Sequence, residues 1–564
     1  MRTLTGKMIA PGLADGTAVV LLDTRWCEKA APAADTHTEV LRLQRAFHSA
    51  RVDLEALQLR VHQEFGANEA EIFVAHQLIL EDPTLRDDII ERIKRDGLRA
   101  EKAIAASVDD YAARLNEAQD PYLRERGSDI RDIGDRLIRH ASGHPSSRFS
   151  ALGINSIIVA EELMPSDLVE LDSERLVGVV TERCGETSHV AILARALGIP
   201  AVTGMVNVTR LITSGQRLLL DSNRSELTID PGQTQVQSFR KRRMRFEEKR
   251  LRDCAQEHLP CKTADGTDIL LMANLARPNE TELCAAANLQ GVGLLRTEFL
   301  FLDHAEPPSV QEQVELYTQV AKRMAGREVY IRTLDLGGDK YPLFLYRLHE
   351  SNPTMGLRGL RFSLSEGLPL FQSQVEALLR VSSQHSVGIM LPMVLGVDDL
   401  LSAKDIVSRI SSDLAIPLPP IGVLVETPAA VLVIDEILDC VDFVSIGTND
   451  LTQFVLASDR NALDSEEDYS VLHPAVLRAV STVSDAARSK NTPVTVCGEA
   501  AGVPGIAALL VGLGIRRLSM SPSLSGRVKH TLRSQHLEKL ELAAKEALVA
   551  RSIVQIREIV ASLG

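Results

Sequence analysis

The feature that most constrains the fold is a regular alternation of short apolar segments and longer helical segments after Cys261. The candidate strands are residues 268–275, 291–296, 328–335, 387–393, 421–426, 443–447, 494–498 and 516–520. Eight parallel strands with intervening helices predict a (β/α)8 barrel. Because the spacing after the third strand is long, we expect an insertion at residues 337–365. An open doubly wound sheet is the alternative.

Polar residues stand at the carboxyl ends of these candidate strands, where barrel enzymes build their active sites. They are Arg296, Arg332, Asp335, Glu426, Asn449, Asp450 and Cys497. Arg296 and Arg332 could clamp a phosphate, with Arg460 as a third cation. Glu426 and Asp450 offer hard oxygen ligands for Mg²⁺ or Mn²⁺. Each residue alone could be an ion pair, a helix cap or a buried thiol, but so many on one rim favour an active site.

The first part of the chain has a different pattern. Residues 1–21 indicate a hairpin or two strands, and four amphipathic helices are expected at 36–64, 68–80, 84–117 and 121–141. Strand and helix alternate again from Asn155. We therefore predict a multidomain α/β protein. Its parts are an α/β domain of residues 1–21 and 144–230, an inserted helical domain of residues 22–143, a linker helix at 231–257 and the barrel at 258–564.

The predicted linker helix carries a basic cluster of Arg240, Lys241, Arg242, Arg243 and Arg245. Such a cluster could bind nucleic acid, but the net charge of −14 favours a solvated linker and no nucleic-acid partner. The seven cysteines form no CxxC pair, and no apolar run approaches the ~20 residues of a membrane span. With no signal-peptide pattern at the start, the sequence predicts a cytoplasmic protein without membrane insertion.

The segment from Thr181 to Val202 predicts a strand, a loop and a helix that begins near Ser188 and stops at Gly198. His189 would then lie in the first helical turn, where free backbone N–H groups and the helix dipole favour an anion. Its imidazole would be well placed to accept a phosphoryl group. An ordinary surface or capping histidine is the alternative for this residue alone.

The chain contains several long motifs, in the order GETSHVAILARALGIPAVTG, GVGLLRTEFLF, IRTLDLGGDK, NPTMGLRGLR, GVLVETPAA, FVSIGTNDLTQFVLASDR and VCGEAAG. These motifs resemble those of Enzyme I of the bacterial phosphotransferase system, the phosphoenolpyruvate–protein phosphotransferases. The helical region is also similar, through EIFVAHQLILEDP and DPYLRERGSDIRDIGDRL. The resemblance covers essentially the whole chain.

The resemblance implies a phosphohistidine enzyme. His189 would take the phosphoryl group of phosphoenolpyruvate, and Cys497 would protonate the enolate to give pyruvate. The substrate would be held by Arg296, Arg332, Asn449, Asp450 and Arg460, with Arg358 and Lys340 as helpers. Glu426 and Asp450 would bind Mg²⁺. The resemblance also implies docking of the histidine phosphocarrier HPr on the helical domain and a homodimer through the barrel. Because the histidine and the substrate site lie in different domains, we further predict that residues 1–230 swivel about the linker helix between the barrel and HPr.

Other functions stay open on the sequence. Pyruvate phosphate dikinase and phosphoenolpyruvate synthase share the histidine domain and the barrel, but we find no space for their nucleotide-binding domain. A paralogue in a nitrogen-regulatory or dihydroxyacetone-kinase branch is a second rival, and an inactive scaffold that binds a carrier protein is a third. One departure from the family pattern is Glu186, a carboxylate close to His189 that should weakly repel a phosphoryl group.

Overall fold

The computed structural model describes most of the 564 residues, in two compact units, Met1–Glu248 and Lys249–Gly564. The described residues are 2–21, 35–64, 73, 76–116, 121–143, 152–164, 166–167, 175–183, 190–191, 194, 198–256, 259–275, 289–302, 306–337, 342, 344–345, 352, 354–458 and 470–564.

The first unit contains an eight-stranded sheet. Its strands are β1 (Arg2–Thr5), β2 (Lys7–Ala10), β3 (Leu13–Leu21), β4 (Ser156–Ala160), β5 (Leu176–Thr181), β6 (Ala201–Thr203), β7 (Arg217–Asp221) and β8 (Glu226–Ile229), in the order β1-β8-β7-β3-β4-β5-β6-β2. Residues 2–21 thus form three strands, one more than expected. Strand β3 pairs in parallel with β4, from Thr17 opposite Ser156. The long helical segment therefore lies between two neighbouring strands of one sheet.

The helical segment contains α1 (Thr36–Glu64), α2 (Pro83–Asp96), α3 (Ala100–Asn116) and α4 (Pro121–Ala141). The single helix predicted over 84–117 is wrong, because two helices replace it. Helix α2 ends where Gly97 adopts a left-handed φ of 62°, a common helix terminator. The predicted helix at 68–80 lies mostly outside the described residues. A short helix, α5 (Val208–Leu211), follows in the α/β part.

The expected linker helix is α6 (Gln233–Gln256). Its first half packs on the sheet of the first unit, where Val236 and Phe239 are buried with Leu219. Two residues of its basic cluster form ion pairs there, Arg240 with Asp15 at 3.3 Å and Arg242 with Asp221 at 3.0 Å. These pairs give that part of the basic cluster an internal structural role.

The second unit contains the predicted barrel, closed and entirely parallel. Its strands are β9 (Leu270–Leu275), β10 (Gly291–Leu295), β11 (Glu328–Arg332), β12 (Val387–Leu391), β13 (Ile421–Val425), β14 (Phe443–Ile446), β15 (Val494–Val496) and β16 (Arg517–Met520). The order runs from β9 to β16, and β16 pairs with β9 to close the ring. The barrel prediction is confirmed, and the doubly wound alternative is wrong.

Helices cover the outside of the barrel strands and bury most of the large apolar core of this unit. They are α7 (Phe299–Leu302), α8 (Val310–Arg323), α9 (Leu360–Ser363), α10 (Leu368–Ser382), α11 (Val397–Leu414), α12 (Pro428–Leu432), α13 (Ile434–Leu438), α14 (Thr448–Leu456), α15 (Pro474–Ser489), α16 (Pro504–Gly512), α17 (Ser525–Arg533), α18 (Leu537–Val549) and α19 (Ile553–Leu563). The expected insertion at 337–365 is described only in part. Among the described helices, none is both long and apolar enough to cross a bilayer.

Candidate active site

Arg332, the last residue of β11, is the centre of a buried network of charges. Its Nη2 donates to Glu298 Oε1 at 2.9 Å, while its Nη1 lies 3.1 Å from Asp335 Oδ2 and 3.6 Å from Glu426 Oε1. The side chain is 5% exposed, and these carboxylates raise the pKa of the guanidinium despite its burial. Its buried Nε has no hydrogen-bond partner among the described residues. That group is a donor that a substrate oxygen could use.

Arg358 extends the network. Its Nε and Nη2 each donate to Asp335 at 3.0 Å, and its Nη1 donates to Asp450 Oδ1 at 2.9 Å. The fork-to-fork pair with Asp335 fixes the plane of the guanidinium. The structure therefore joins Arg332, Arg358, Glu426 and Asp450 in one cluster, through a carboxylate, Asp335, that both arginines contact.

Glu426 follows β13 and is almost fully buried. Its Oε2 accepts the N–H of Met393 at 3.0 Å. Burial, together with the nearby carboxylates of Asp450 and Asp335, raises the pKa of Glu426 to about 8. Gly447 leaves room for the side chain of Glu426, since a Cβ at position 447 would come 2.7 Å from Glu426 Cγ.

The donor set of this cluster suits a hard divalent cation. Hard cations prefer carboxylate oxygens, and a cation beside Glu426 and Asp450 would offset the repulsion that now favours protonation of Glu426. No group of three or more Asp, Glu, His or Cys side chains in the described part of the chain is arranged around a common metal position.

Cys497 follows β15 and faces the same end of the barrel. Its N–H donates to the carbonyl of Ile446 at 3.1 Å, and its Sγ lies 3.6 Å from the same oxygen. Burial raises the pKa of the thiol to about 12, with a further rise from Glu426 and opposing effects from Arg332 and Arg296. The group is thus a protonated thiol near neutral pH and lies within the electrostatic reach of the cluster.

The other predicted site residues are described only in part. Arg296 follows β10 and is half-buried, and Asn449 lies beside Asp450 in the first turn of α14. Residues His189, Lys340, Arg460 and Glu186 lie outside the described residues. Next to His189, the described Val190, Ala191 and Ala194 are helical, and Gly198 has a left-handed φ of 63°. The roles of all these residues stay predictions.

Two polar residues at this end of the barrel were not predicted from the sequence. Glu298 is buried, accepts from Arg332, and also accepts the N–H of Asp335 at 3.1 Å. Asn274 donates to the carbonyl of Cys497 at 2.7 Å. Both had a signal: Glu298 stands two residues after Arg296, and Asn274 is the one polar residue in the apolar run of the first barrel strand.

Comparisons with known families agree with this architecture. The family model of the PEP-binding domain of PEP-utilising enzymes matches residues 251–537, and the models of the N-terminal and mobile domains of those enzymes match residues 5–126 and 153–225.

Whole-chain relatives share one name, phosphoenolpyruvate-protein phosphotransferase. The protein from Haemophilus influenzae is 32% identical, over 99% of this chain and 98% of its own length. The protein from Geobacillus stearothermophilus is 34% identical, over 100% and 96%. The protein from Haloferax volcanii is 36% identical, over 92% and 91%. With a PEP-binding barrel, a mobile domain and nearly full-length similarity, the chain belongs to the phosphoenolpyruvate–protein phosphotransferase family of PEP-utilising enzymes.

Proposed function

We propose that this chain transfers the phosphoryl group of phosphoenolpyruvate to its own His189 and then to a histidine of an HPr-type carrier, with release of pyruvate. The observation that carries the proposal is the buried cluster of Arg332, Arg358, Glu426 and Asp450 at the carboxyl end of the barrel. A cluster with two guanidinium groups and several carboxylates can bind an anionic substrate together with a cation. Family membership and the helical flank of His189 support the rest.

The arginines would bind and orient the substrate. Phosphoryl transfer needs in-line placement and neutralisation of the equatorial phosphate oxygens. Arg332 brings a buried Nε donor that has no partner among the described residues, and Glu298 and Asp335 hold the plane of its guanidinium. Arg296, Asn449 and Arg460 would complete the anion site, with Lys340 and Arg358 beside them. The pair of Arg358 with Asp335 and Asp450 indicates that Arg358 mainly fixes those carboxylates.

Glu426 and Asp450 would hold Mg²⁺, or Mn²⁺ in its place. When bound, such an ion stabilises negative charge on substrate oxygens. Cys497 would deliver its thiol proton to the methylene carbon of the enolate, and its raised pKa keeps that proton in place until the carbon becomes basic. His189 must be unprotonated on the attacking nitrogen to accept the phosphoryl group.

The remaining assignments follow from the family. HPr would dock on the helical domain, the first unit would swivel between the barrel and the carrier, and two chains would form a dimer through the barrel. We place the enzyme in the cytoplasm. The free thiols of Cys261, Cys440 and Cys497 agree with a reducing compartment.

The test is phosphorylation of the full-length protein by labelled phosphoenolpyruvate with Mg²⁺. Wild type should take up an acid-labile label, and His189→Ala should take up none. Arg332→Met should slow labelling by about 10²-fold, because a fixed donor to the transferred group is lost. The matched control is Arg380→Met, whose side chain is 47% exposed and pairs with Glu376 on the surface.

The outcomes separate the rival functions. An unlabelled wild-type protein would favour a scaffold that only binds a carrier. Normal labelling of Arg332→Met would contradict the assignment of the substrate site. Once labelled, the protein can be offered HPr-type carriers of the sugar, nitrogen-regulatory and dihydroxyacetone-kinase branches in turn, and the fastest acceptor identifies its pathway.

A further inference from the structure

The backbone around Cys497 is held by two residues that have no role in the mechanism above. Asn274, near the end of β9, donates its Nδ2 to the carbonyl oxygen of Cys497 at 2.7 Å. Ser519, on β16, donates its hydroxyl to Asn274 Oδ1, also at 2.7 Å. The second bond fixes which way the amide of Asn274 points, so its NH₂ group faces Cys497. A continuous hydrogen-bond chain therefore runs from β16 through β9 to the cysteine.

Cys497 is held on its other side as well. Its N–H and Sγ both lie against the carbonyl of Ile446 on β14. With the N–H fixed to β14 and the carbonyl fixed to β9, rotation of the backbone at Cys497 is restricted on both sides of its Cα. The direction of the Cα–Cβ bond, and with it the position of the thiol, is then set by the two neighbours together.

Two glycines leave the space that this arrangement needs. A Cβ at position 293 on β10 would come 2.5 Å from Ser519 Oγ and 2.6 Å from Ser519 Cβ, so a larger residue there would displace the serine. A Cβ at position 498 would overlap the hydroxyl of Thr448 and come 2.9 Å from the backbone nitrogen of Thr448. Close packing on both sides leaves Cys497 little freedom to shift.

We propose that Asn274, oriented by Ser519, is the positioning residue for proton delivery by Cys497 to the enolate carbon. The step moves the thiol proton to carbon, forms the methyl group of pyruvate and leaves a thiolate that water reprotonates. The inference rests on the proposed role of Cys497. A simpler reading is that Asn274 only satisfies a carbonyl at the end of a strand, and the experiment must separate the two.

The test measures formation of pyruvate from phosphoenolpyruvate by the full-length enzyme with Mg²⁺, in a single turnover, in H₂O and in D₂O. Asn274→Asp keeps the shape of the side chain but replaces the Nδ2 donor by an oxygen acceptor that faces the carbonyl of Cys497. It should slow pyruvate formation by about tenfold or more, since small displacements of a reacting group carry large rate penalties. The solvent isotope effect should stay clearly above one, because proton delivery then limits the rate.

Ser519→Ala supplies a milder second variant, in case Asn274→Asp fails to fold. It should slow pyruvate formation by about threefold in an otherwise normal protein, and this loss should vanish in an Asn274→Ala background because Ser519 acts through Asn274. The control is Gln290→Ala. Gln290 Oε1 accepts the N–H of Leu271, on the same strand as Asn274 but at its other end. That variant should form pyruvate at the wild-type rate.

Two results would overturn the proposal. One is an unchanged rate in Asn274→Asp or, if that variant does not fold, in Ser519→Ala. The other is a slow variant whose solvent isotope effect collapses to one, because a step other than proton transfer would then be damaged. Failure of the proposed function has a different signature. Cys497→Ala would form pyruvate normally if Cys497 is not the donor, and wild type would take no label if the protein is not a phosphotransferase.

Discussion

Asp15 shows how one ionised residue ties the linker helix to the first unit. Arg217 lies 2.8 Å and Arg240 3.3 Å from its Oδ2. Burial alone would raise the pKa of Asp15, but hydrogen bonds and charge from these arginines outweigh it and hold the pKa below its ordinary value. Ionised Asp15 therefore stabilises the folded state above the unfolded-state pKa of 3.8, and this contribution is lost as pH falls through the lower folded-state pKa.

We predict that Asp15→Asn lowers the free energy of unfolding of its unit by up to about 1 kcal/mol at pH 7, since both arginines are well exposed. The difference from wild type should shrink toward zero below pH 3.8. Urea unfolding followed by circular dichroism, repeated across this pH range, measures the difference in unfolding free energy between the variant and wild type. Asp405→Asn removes an ion pair whose side chains are 66% and 70% exposed and should change nothing. A loss that is equal at every pH would contradict the assignment to ionisation.

At the scale of single residues, the sequence predicted which polar residues lie at the carboxyl ends of the barrel strands better than it predicted their contacts. Arg332, Glu426 and Cys497 could be named because each lies at the end of an apolar strand or directly after it. Their partners could not, since Arg358 bonds to Asp450 across 92 positions of sequence, and only the closed barrel brings them together. Asn274 was not predicted, because a single amide residue in an apolar strand belongs to no recognisable motif.

Among the elements, the turn after α2 rests on Gly97. Its φ of 62° is costly for any residue with a Cβ, yet among the described residues, apart from the chain neighbours of Gly97, no atom lies within 4 Å of where a Cβ would stand. Gly97→Ala should therefore cost about 1 kcal/mol purely through backbone conformation, and Gly97→Asn should cost less. Thermal unfolding measures both. Gly396→Ala is the matched control, since it also has open space but an extended φ of −173°. An equal loss in the control would contradict this explanation.

The exact ends of the barrel strands could not be predicted from the apolar pattern of the sequence. The third strand was expected over 328–335 but ends at Arg332. Beyond it, the N–H of Leu334 is taken by Gln374 Oε1 and that of Asp335 by Glu298 Oε1, so side chains replace the neighbouring strand as partners. Apolar pattern alone cannot show this change, because it arises from polar side chains that are distant in sequence.

At the scale of the whole molecule, the attachment of α6 limits where the chain can bend if the two units reorient. The first half of α6 is fastened to the first unit by Val236, Phe239 and the ion pairs of Arg240 and Arg242. Any bending that reorients the units must then occur beyond these contacts. Compact packing of the first unit ends at Glu248, within the same helix.

We predict that a staple across this boundary slows steady transfer from phosphoenolpyruvate to a carrier. Met244 and Leu251 are seven residues apart, 64% and 59% exposed, and lie on one face of α6, so cysteines there can be joined by a short cross-linker. The cysteines other than Cys497 and Cys261 would first be replaced by serine. Cys261 can stay because it is buried, and burial raises the pKa of its thiol to about 12.

A second staple, between cysteines at the exposed positions Gln237 and Met244, lies wholly within the first unit and serves as the matched control. The staple across the boundary should reduce the rate of carrier phosphorylation about tenfold or more, since reorientation of this kind commonly limits turnover. The control staple should leave it unchanged. Rates that are unchanged in both stapled proteins would place the pivot outside α6, whereas equal losses in both would show that the helix must flex within the first unit itself.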